Sequence, residues 1–331
     1  MKPRTLLAAA VGVGLLVWLV ASAGLKAVTG AVATLGAGGF VAITAFQLAL
    51  GVLAGCAWAL LGAGRPDGAP GRFVRARLVR EAAGQALPFT QLGGIALGGR
   101  ALALEGVAGP FAFASTLMDV AIEFTTQVAY AALGAGLLTA LKPANTFGRG
   151  VLVLLLGLAA MAAGLLYAQS HGAHVVERLV RRFTGRQGRG EGDEEAGGGL
   201  PVAAALAALR RRPAFVGGAW IIHLVAWTLT GVQTWLTFRL LHLPATLAGA
   251  LVIDSLVSAA KAAAFAVPSG LGVQEGAFIL LGQLFGVPPA AALALSLIRR
   301  GRDLVLAFPI LGWWQLRHGG RIWGRERLGV E

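Results

Sequence analysis

The chain has 331 residues, of which 56% are hydrophobic and only 13% are charged. Soluble proteins carry about a quarter charged residues, so this composition excludes an ordinary soluble fold. A net charge of +13 would suggest nucleic-acid binding in a soluble protein. Here the arginines flank apolar runs, as in the cytoplasmic loops of membrane proteins. We therefore predict an integral membrane protein that does not bind nucleic acid.

Apolar runs that approach or exceed the length of a bilayer-spanning helix follow one another along the chain. They occupy residues 6–25, 40–61, 111–141, 151–168, 215–238 and 245–267, and two or three more lie within 276–316. The sequence predicts an all-α, polytopic membrane bundle with about six to eight transmembrane helices and one or two re-entrant or broken helices. The first run also resembles a signal peptide, although we expect it to be retained as a span.

The arginine clusters fall before the first run, after the second and fourth runs, before the fifth and at the end of the chain. These positions follow an even number of crossings, so the positive-inside rule predicts cytoplasmic termini in a bacterial inner membrane. The loops at 30–39, 142–149 and 239–244 are then expected outside. Contact between the basic cytoplasmic loops and anionic lipids is a general expectation for such loops.

Residues 171–200 form a hydrophilic stretch that we predict to be a cytoplasmic linker. It divides a single membrane domain, 1–331, into a first helical half, 1–170, and a second, 201–331. Each half contains a proline-glycine interruption, one at Pro88 and one at 268–276. Matched interruptions indicate an inverted repeat, but the flanking residues do not align, so the repeat stays open. Residues 72–87 are expected either as an amphipathic helix on the membrane surface or as a solvated basic loop.

The interruption at 268–276 is the most informative segment. Pro268 removes a backbone donor, and Gly270 and Gly272 free the backbone, so a helix is expected to break there. A break inside a membrane leaves backbone groups that must be buried in protein or line a polar cavity. Ser269 and Glu275 add polar groups beside it, which predicts a binding or transport site.

Polar residues inside the apolar runs add candidates for this site. In the third run Asp119 and Glu123 share one helix face with Ser115 and Gln127 because they recur every fourth residue. Two carboxylates are costly in lipid, so this face is expected to look inward, toward water or in a structural ion pair. The candidate basic partners are Arg100, Arg299, Arg300 and Arg302.

Asp254 and Lys261 also share a face of their predicted helix. They could bracket a polar headgroup, or Lys261 could extend to the membrane surface. In the fifth run His223 and Trp227 align with Thr230 and Thr234, which we interpret as a structural face. The segment 299–303 is read as a plain loop, with an intramembrane anion site as the alternative.

Motifs for catalysis, nucleotide binding and metal binding are absent from the sequence. The single cysteine, Cys56, is expected to be a buried apolar residue rather than a ligand. We therefore predict no catalytic residues, no cofactor and no metal.

The stretch from Pro268 to Gly282, together with 295–303, resembles flippase-like membrane proteins related to the transmembrane part of lysylphosphatidylglycerol synthase. Within that group it is most similar to the hopanoid-biosynthesis-associated branch. The first-half segment 87–94, followed by Asp119 and Glu123, is similar too. The resemblance implies an inner-membrane protein that handles lipids and moves hopanoids toward the outer membrane. It implies no lysyl transfer, because the soluble transferase domain has no counterpart here.

The resulting prediction is a lipid transporter with a polar groove open to lipid at its side. The groove residues are Pro88, Asp119, Glu123, Asp254, Lys261, Pro268, Ser269, Gly270, Gly272, Glu275, Arg299, Arg300 and Arg302. Its expected partners are membrane lipids, with hopanoids favoured, and proteins of lipid synthesis or transport are further candidates. The alternatives are a membrane enzyme acting on a polyprenyl or phospholipid phosphate, with Ser269 and Glu275 as its reactive pair, and a scaffold for lipid-synthesis enzymes.

Overall fold

The computed structural model describes residues 25–86, 91–143, 148–171, 201–264, 267 and 270–323. All regular structure in these ranges is helical, which confirms the all-α prediction. The helices are α1 (Leu25–Leu61), α2 (Pro70–Ala86), α3 (Gln91–Leu104), α4 (Gly109–Leu141), α5 (Gly148–His171), α6 (Pro201–Arg210), α7 (Pro213–Leu240), α8 (Leu247–Ala263), α9 (Val273–Leu284) and α10 (Pro289–Trp323). The predicted span at 6–24 and linker residues 172–200 lie outside the described residues.

Three long helices form the frame of a helical membrane bundle. The segments Val32–Leu61, Gly109–Leu141 and Pro213–Leu240 are each long and apolar enough to cross a membrane. α1 and α7 pack side by side in opposite directions, since Arg212 at the start of α7 donates to Ala63 O just after α1 at 2.7 Å. α5 presents exposed apolar side chains such as Val153, which is 69% exposed, as a lipid-facing surface requires.

The ends of these helices define two ends of the bundle. End A holds the turn after α1, the start of α4 and the start of α7; Ala108 N, for example, donates to Asp67 Oδ2 at 3.0 Å. End B holds the end of α4, the end of α7 and the turn before α10, where Lys142 lies 5.8 Å from the ring of Phe285. Loops predicted on the same side of the membrane therefore meet at the same end.

Helices α2 and α3 form a hairpin, hairpin 1, which both begins and ends at end A. Arg75 near the start of α2 donates to Glu105, just after α3, at 2.5 Å. α2 is buried on the side of Phe73, Ala76 and Val79 and packs against α1, α3 and α10. The prediction of a surface helix or a solvated loop for 72–87 was therefore wrong, because this helix lies inside the bundle.

Helices α8 and α9 form hairpin 2, which begins and ends at end B. A Cβ on Gly249, near the start of α8, would lie 2.8 Å from the ring of Phe285, just after α9. α8 ends at Ala263 and α9 begins at Val273, and Gly270 and Gly272 between them have positive φ, so the helix break predicted near 268–276 is present. The described part of the apolar run that was predicted as a span therefore forms α8, one arm of a hairpin.

The last helix, α10, runs from end B back to end A, where His318 Nε2 lies 3.5 Å from Glu105 Oε1. It includes residues 299–303, so the loop predicted there was wrong. The loop predicted at 30–39 is a kink rather than a loop: two helical segments of α1 meet at Gly36, which has φ 63° and ψ 172°.

The order of elements repeats in the two halves with opposite orientation. α1 reaches end A, hairpin 1 starts there and α4 leaves from there. α7 reaches end B, hairpin 2 starts there and α10 leaves from there. Each hairpin is surrounded by its own apolar cluster, one around Trp58 and Phe73 and the other around Phe238 and Phe278. The inverted repeat that the sequence left open is thus visible in the topology of the described helices.

Candidate functional site

Helices α4 and α7 carry polar side chains through the middle of the bundle. On α4, Ser115, Asp119, Glu123 and Gln127 lie on one face, as their spacing predicts. Asp119 is ten residues into α4, which places it about 15 Å from end A. Its carboxylate is completely buried. We call the polar side chains that surround α4 and α7 in the bundle interior the polar column.

In the first half, the polar column contains a network of two arginines and two carboxylates. Arg77 donates to both oxygens of Glu123, at 2.6 and 2.7 Å, and its Nη1 lies 3.5 Å from Asp119 Oδ2. Arg80 donates to Asp119 at 2.8 Å and to Glu123 at 2.6 Å. Both arginines belong to α2 and both acids to α4, so this network ties hairpin 1 to the central helix.

Helix α7 completes the network from the opposite side. The Nε2 atom of His223 lies 2.9 Å from Asp119 Oδ1, and Trp227 Nε1 donates to the backbone carbonyl of Glu123 at 3.3 Å. The structural role predicted for this face of α7 fits these contacts. They leave both oxygens of Asp119 engaged.

In the second half, the polar column is built around Asp254 of α8. Its Oδ2 accepts hydrogen bonds from Thr230 at 2.5 Å and from Tyr130 at 3.1 Å, and its Oδ1 accepts from Thr234 at 2.8 Å. Arg299 of α10 forms an ion pair with the same carboxylate. Asp254 is completely buried, so it depends on these partners to remain charged.

The helix break places Glu275 at the start of α9. Gly270 and Gly272 have φ values of 59° and 78°, in the left-handed region that glycine adopts readily. Gly272 N donates to Glu275 Oε2 at 2.7 Å, while Oε1 accepts from Arg300 at 2.7 Å and from Ser296 at 2.9 Å. Glu275 therefore caps the start of α9 and joins hairpin 2 to α10.

A third arginine of α10 reaches the frame helices. Arg302 donates to Gln233 Oε1 of α7 at 2.5 Å and pairs with Asp303 at 2.8 Å. Gln233 in turn donates to the backbone carbonyl of Ile43 in α1 at 2.8 Å. This chain of contacts links α10, α7 and α1 through buried polar groups.

The clusters in the two halves occupy matching positions with their charges reversed. Arg77 lies seven residues after the start of α2, and Asp254 lies seven residues after the start of α8. Their partners Asp119 and Arg299 each lie ten residues after the start of the following long helix. The first hairpin thus supplies the cation and the second supplies the anion at an equivalent site.

A recess of about 370 Å³, including its open mouth, lies between α1, α2 and α10. Four polar side chains line it, namely Gln47, Glu81, Gln85 and Asp303, and leucine, isoleucine, alanine and glycine residues form the rest of its wall. Leu48, which is one of the lining leucines, is 39% exposed. The recess therefore offers hydrogen-bond acceptors within an apolar surround.

The basic partners predicted for Asp119 and Glu123 were wrong. Arg100 is exposed on α3, and the three arginines of α10 contact other groups: Arg299 pairs with Asp254, Arg300 with Glu275 and Arg302 with Asp303. Of the two readings of the face on α4, the described contacts match the structural ion pair.

Lys261 does not bond to Asp254 within the described residues, where Asp254 is instead paired with Arg299. Lys261 is half-buried near the tip of hairpin 2. A Cβ on Gly270 would lie 3.3 Å from Lys261 Cγ. The predicted groove residues Pro88, Pro268 and Ser269 lie outside the described residues.

Sequence reasoning missed Arg77 and Arg80 as members of the polar column, because 72–87 was expected at the membrane surface or in a solvated loop. Their spacing of three places them on one side of a helix. Tyr130 continues the polar face of α4 one turn beyond Gln127, but only the fold could show which carboxylate it meets.

Among the described residues there is no group of three or more His, Cys, Asp or Glu side chains placed to hold a metal ion. Cys56 is exposed, so the prediction of a buried cysteine was wrong.

Comparison with known proteins gives one match. The model of the protein family described as the lysylphosphatidylglycerol synthase TM region matches residues 5–310. No curated protein and no solved structure matches the chain.

Proposed function

The chain belongs to the family of the lysylphosphatidylglycerol synthase TM region, and from this premise we propose that it is a flippase-like transporter of membrane lipids. The single observation that carries the proposal is the polar column, in which hairpins from opposite ends meet charged side chains in the bundle interior. Polar groups at membrane depth are costly, and in membrane proteins they mark substrate pathways.

The two hairpins support this proposal by their geometry. Each begins and ends at the same end of the bundle and carries a proline-glycine interruption at its tip, so we propose that both are re-entrant. In transporters built from inverted repeats, the substrate site lies near the membrane midplane between such broken elements. The recess between α1, α2 and α10 is the proposed entry for a lipid headgroup, while the tail remains in hydrocarbon.

We propose hopanoids as the lipid, transported from the inner membrane toward the outer membrane. This substrate rests on the resemblance of the segment from Pro268 to Gly282 and of 295–303. End A, which carries Arg65, Arg72 and Arg212, is the proposed cytoplasmic end by the positive-inside rule.

The contacts of Glu275, the base proposed in the enzyme alternative, favour the transporter over the enzyme. Both oxygens of Glu275 are occupied, one by Gly272 N and the other by Ser296 and Arg300. A general base must come within hydrogen-bond reach of the substrate proton, so a substrate would have to approach Glu275 past the partners that already hold its carboxylate. The scaffold alternative makes no demand on the polar column and is tested together with transport below.

Transport can be tested in vesicles that contain purified protein and a hopanoid with a vicinal-diol side chain. Periodate added outside cleaves only diols in the outer leaflet. We expect the cleaved fraction to rise from about half to nearly all when the protein moves the lipid between leaflets. Protein-free vesicles and the variant Leu316→Ala, at a side chain 90% exposed, serve as controls.

Two variants of the helix break sharpen this test. Gly272→Leu places a side chain at φ 78°, and Glu275→Gln removes the charge paired with Arg300; both should slow transport while the protein remains inserted. A cleaved fraction that stays at half with the wild-type protein would contradict lipid transport and leave the scaffold reading. Release of phosphate or altered lipid chemistry would favour the enzyme.

A further inference from the structure

Glu81 of α2 is held less firmly than the buried acids of the polar column. Three acids are completely buried, and each contacts at least three polar groups; they are Asp119, Asp254 and Glu275. Glu81 instead lines the recess with a side chain that is 38% exposed. Its described hydrogen bonds are long, at 3.2 Å from Arg77 Nη2 and 3.4 Å from Gln85 Nε2.

Arg77 keeps closer partners when Glu81 is neutral. It donates to both oxygens of Glu123, at 2.6 and 2.7 Å, and these contacts do not involve Glu81. A buried cation is strongly destabilising when it loses its countercharge. A proton can therefore bind to Glu81 and leave again while Arg77 remains paired.

Within its described lining, the recess has one other carboxylate, Asp303 of α10. Arg302 holds this carboxylate, with Nη2 at 2.8 Å and Nε at 2.9 Å from Oδ1. Of the other helices packed against α2, α1 carries no charged side chain after its first turn, and Arg100 of α3 is exposed. No hydrogen bond or ion pair joins Glu81 to Lys261 of hairpin 2 within the described residues. Of the two recess acids, Glu81 is thus the one that can change its charge more readily.

The depth of Glu81 suits a proton site inside the membrane. It lies eleven residues after the start of α2, about 17 Å from end A, in a hydrocarbon core that is about 30 Å thick. Carboxylates at such depth form proton relays in pumps and transporters. An ionised carboxylate also accepts stronger hydrogen bonds than a neutral one. A headgroup that donates hydrogen bonds would therefore compete with a proton for the same oxygens.

We infer that Glu81 binds the proton that drives this transporter, and that a proton and the lipid headgroup occupy Glu81 in turn. The inference rests on the proposed lipid transport and adds its energy source. Lipid and protons then move in opposite directions, because Glu81 releases a proton on the side where it binds the headgroup. One bound proton is exchanged for one bound lipid, and the exchange needs no other reactant.

The first test imposes a proton gradient on vesicles that contain full-length protein and a trace of the vicinal-diol hopanoid. The interior is one pH unit more acidic or more alkaline than the exterior, and potassium with valinomycin holds the membrane potential at zero. A short periodate pulse then measures the hopanoid fraction in the outer leaflet. Because one pH unit should shift the ratio between leaflets about tenfold, this fraction should approach about one-tenth with an acidic interior and about nine-tenths with an alkaline one.

Variants test whether the proton binds at Glu81. Glu81→Gln cannot ionise, so the hopanoid should become equally distributed between the leaflets whatever the gradient. Glu81→Asp keeps a titratable group and should respond to the gradient. The control Glu105→Gln removes a carboxylate at end A, outside the described lining of the recess, and should respond like the wild type. If Glu81→Gln moves no lipid, Glu81→Asp decides, and a lack of response in that variant overturns the inference.

The possible outcomes separate this inference from the proposed function. Hopanoid that equilibrates between the leaflets but ignores the gradient would support transport and overturn the inference. Accumulation on the side that protons enter would also overturn it, because lipid and proton would then move together. A gradient response that persists in Glu81→Gln would exclude Glu81 as the proton site. No movement under any gradient would contradict the proposed function and the inference with it.

A binding measurement tests the competition without transport. Immobilised full-length protein in detergent is incubated with the same hopanoid carrying a fluorescent label, at a series of pH values. Retention by the wild type should fall in acid, whereas retention by Glu81→Gln should be weaker and should not change with pH. Retention by the wild type that is independent of pH would overturn the inference.

Discussion

The two halves of the polar column stand at matching positions but are connected differently. In the first half, Arg77 and Arg80 each contact both Asp119 and Glu123, so four charges form one network. In the second half the contacts divide into separate pairs, one at Asp254 and the other between Glu275 and Arg300. Hairpin 1 is therefore held by shared contacts and hairpin 2 by independent ones.

This difference has a mechanical consequence. In the network, a charge that loses one ionic partner keeps another, whereas a substitution at Asp254 removes the ion pair with Arg299, and a buried charge without a countercharge is strongly penalised. Hairpin 2, which also carries the helix break, is joined to α10 by two separate ion pairs and by the hydrogen bonds of Ser296 with Gln274 and Glu275. Hairpin 1 is joined to α4 by four ionic contacts that share their partners. We expect the second half to be the more sensitive to single substitutions.

The largest effect should come from Asp254→Asn. It removes the carboxylate that pairs with Arg299 and accepts from three hydroxyl groups, and it leaves a buried cation without a countercharge. We expect the free energy of unfolding to fall by about 3–5 kcal/mol. Thermal unfolding in detergent micelles measures this loss of stability. Asparagine is nearly isosteric with aspartate, so the substitution changes the charge and not the size of the side chain. A loss below about 1 kcal/mol, the range of an exposed ion pair, would contradict the separate-pair description.

Asp119→Asn should have a smaller effect although Asp119 is equally buried. Arg80 keeps Glu123 as a partner, and Arg77 keeps both Glu123 and Glu81. We expect a loss of about 1–3 kcal/mol. A double-mutant cycle with Glu123→Gln tests the network directly, because the double variant should lose more than the sum of the single ones. Simple additivity would show that the four charges act independently.

The sequence predicted which acidic residues lie on a common helix face better than it predicted their basic partners. Spacing of four along one helix placed Asp119 and Glu123 on a common inward face, because helix geometry is local. Their partners lie more than thirty residues away, and nothing local indicates which arginine returns to them. α2 was misread since its buried stripe is built largely from alanines, such as Ala76 and Ala83, which give little contrast with a basic face.

The helix boundaries, too, could be predicted only in part from local sequence. The break near Gly270 was predictable from proline and glycine. The run 245–267 is long enough to span a bilayer, so its length and composition do not distinguish a crossing from a hairpin arm. The segment 299–303 read as a loop because three arginines are costly inside a membrane. In the fold they lie on α10, where Arg299 and Arg300 pair with carboxylates of hairpin 2 and Arg302 pairs with its neighbour Asp303.

The contacts of the two hairpins with the preceding long helices give a further comparison. A Cβ on Gly55 of α1 would lie 2.7 Å from the Cα of Val74, and one on Gly231 of α7 would lie 2.4 Å from Tyr130 Oη and 3.3 Å from the Cα of Leu251. Val74 and Leu251 each lie four residues after the start of their hairpin. Both glycines therefore allow equivalent close approaches.

Alanine at either glycine should weaken its own hairpin. We expect Gly55→Ala to lower the free energy of unfolding by about 1–3 kcal/mol, because backbone blocks the new methyl group. Gly231→Ala should lie at the lower end, since side-chain atoms of Tyr130 and Leu251 can move. The control is Gly217→Ala on α7, where no atom lies within 4 Å and the change should be neutral or stabilising. Equal behaviour of all three variants would contradict the close packing.

The smallest expected effect concerns the points where the hairpins begin, which differ in their response to acid. α8 starts with a neutral cap, Thr246, whose hydroxyl accepts from Gly249 N at 3.1 Å. The turn before α2 uses a charge instead: Asp67 accepts from Arg65 at 2.8 Å and from Ala108 N at 3.0 Å. The hydrogen bond from Arg65 holds the pKa of the Asp67 carboxyl below its usual range.

Because the folded-state pKa of Asp67 is lowered, its contribution to stability is present above the unfolded value of about 3.9 and is lost as the pH falls through the folded value. Asp67→Asn should therefore be less stable than the wild type near neutral pH, by less than about 1 kcal/mol for a partly exposed pair. The two proteins should converge in acid. Thermal unfolding of both across this range checks the expectation, and Thr246→Ala should show a deficit that does not change with pH. A deficit for Asp67→Asn that persists in acid would mean that the side chain stabilises the entry of hairpin 1 by its shape rather than its charge.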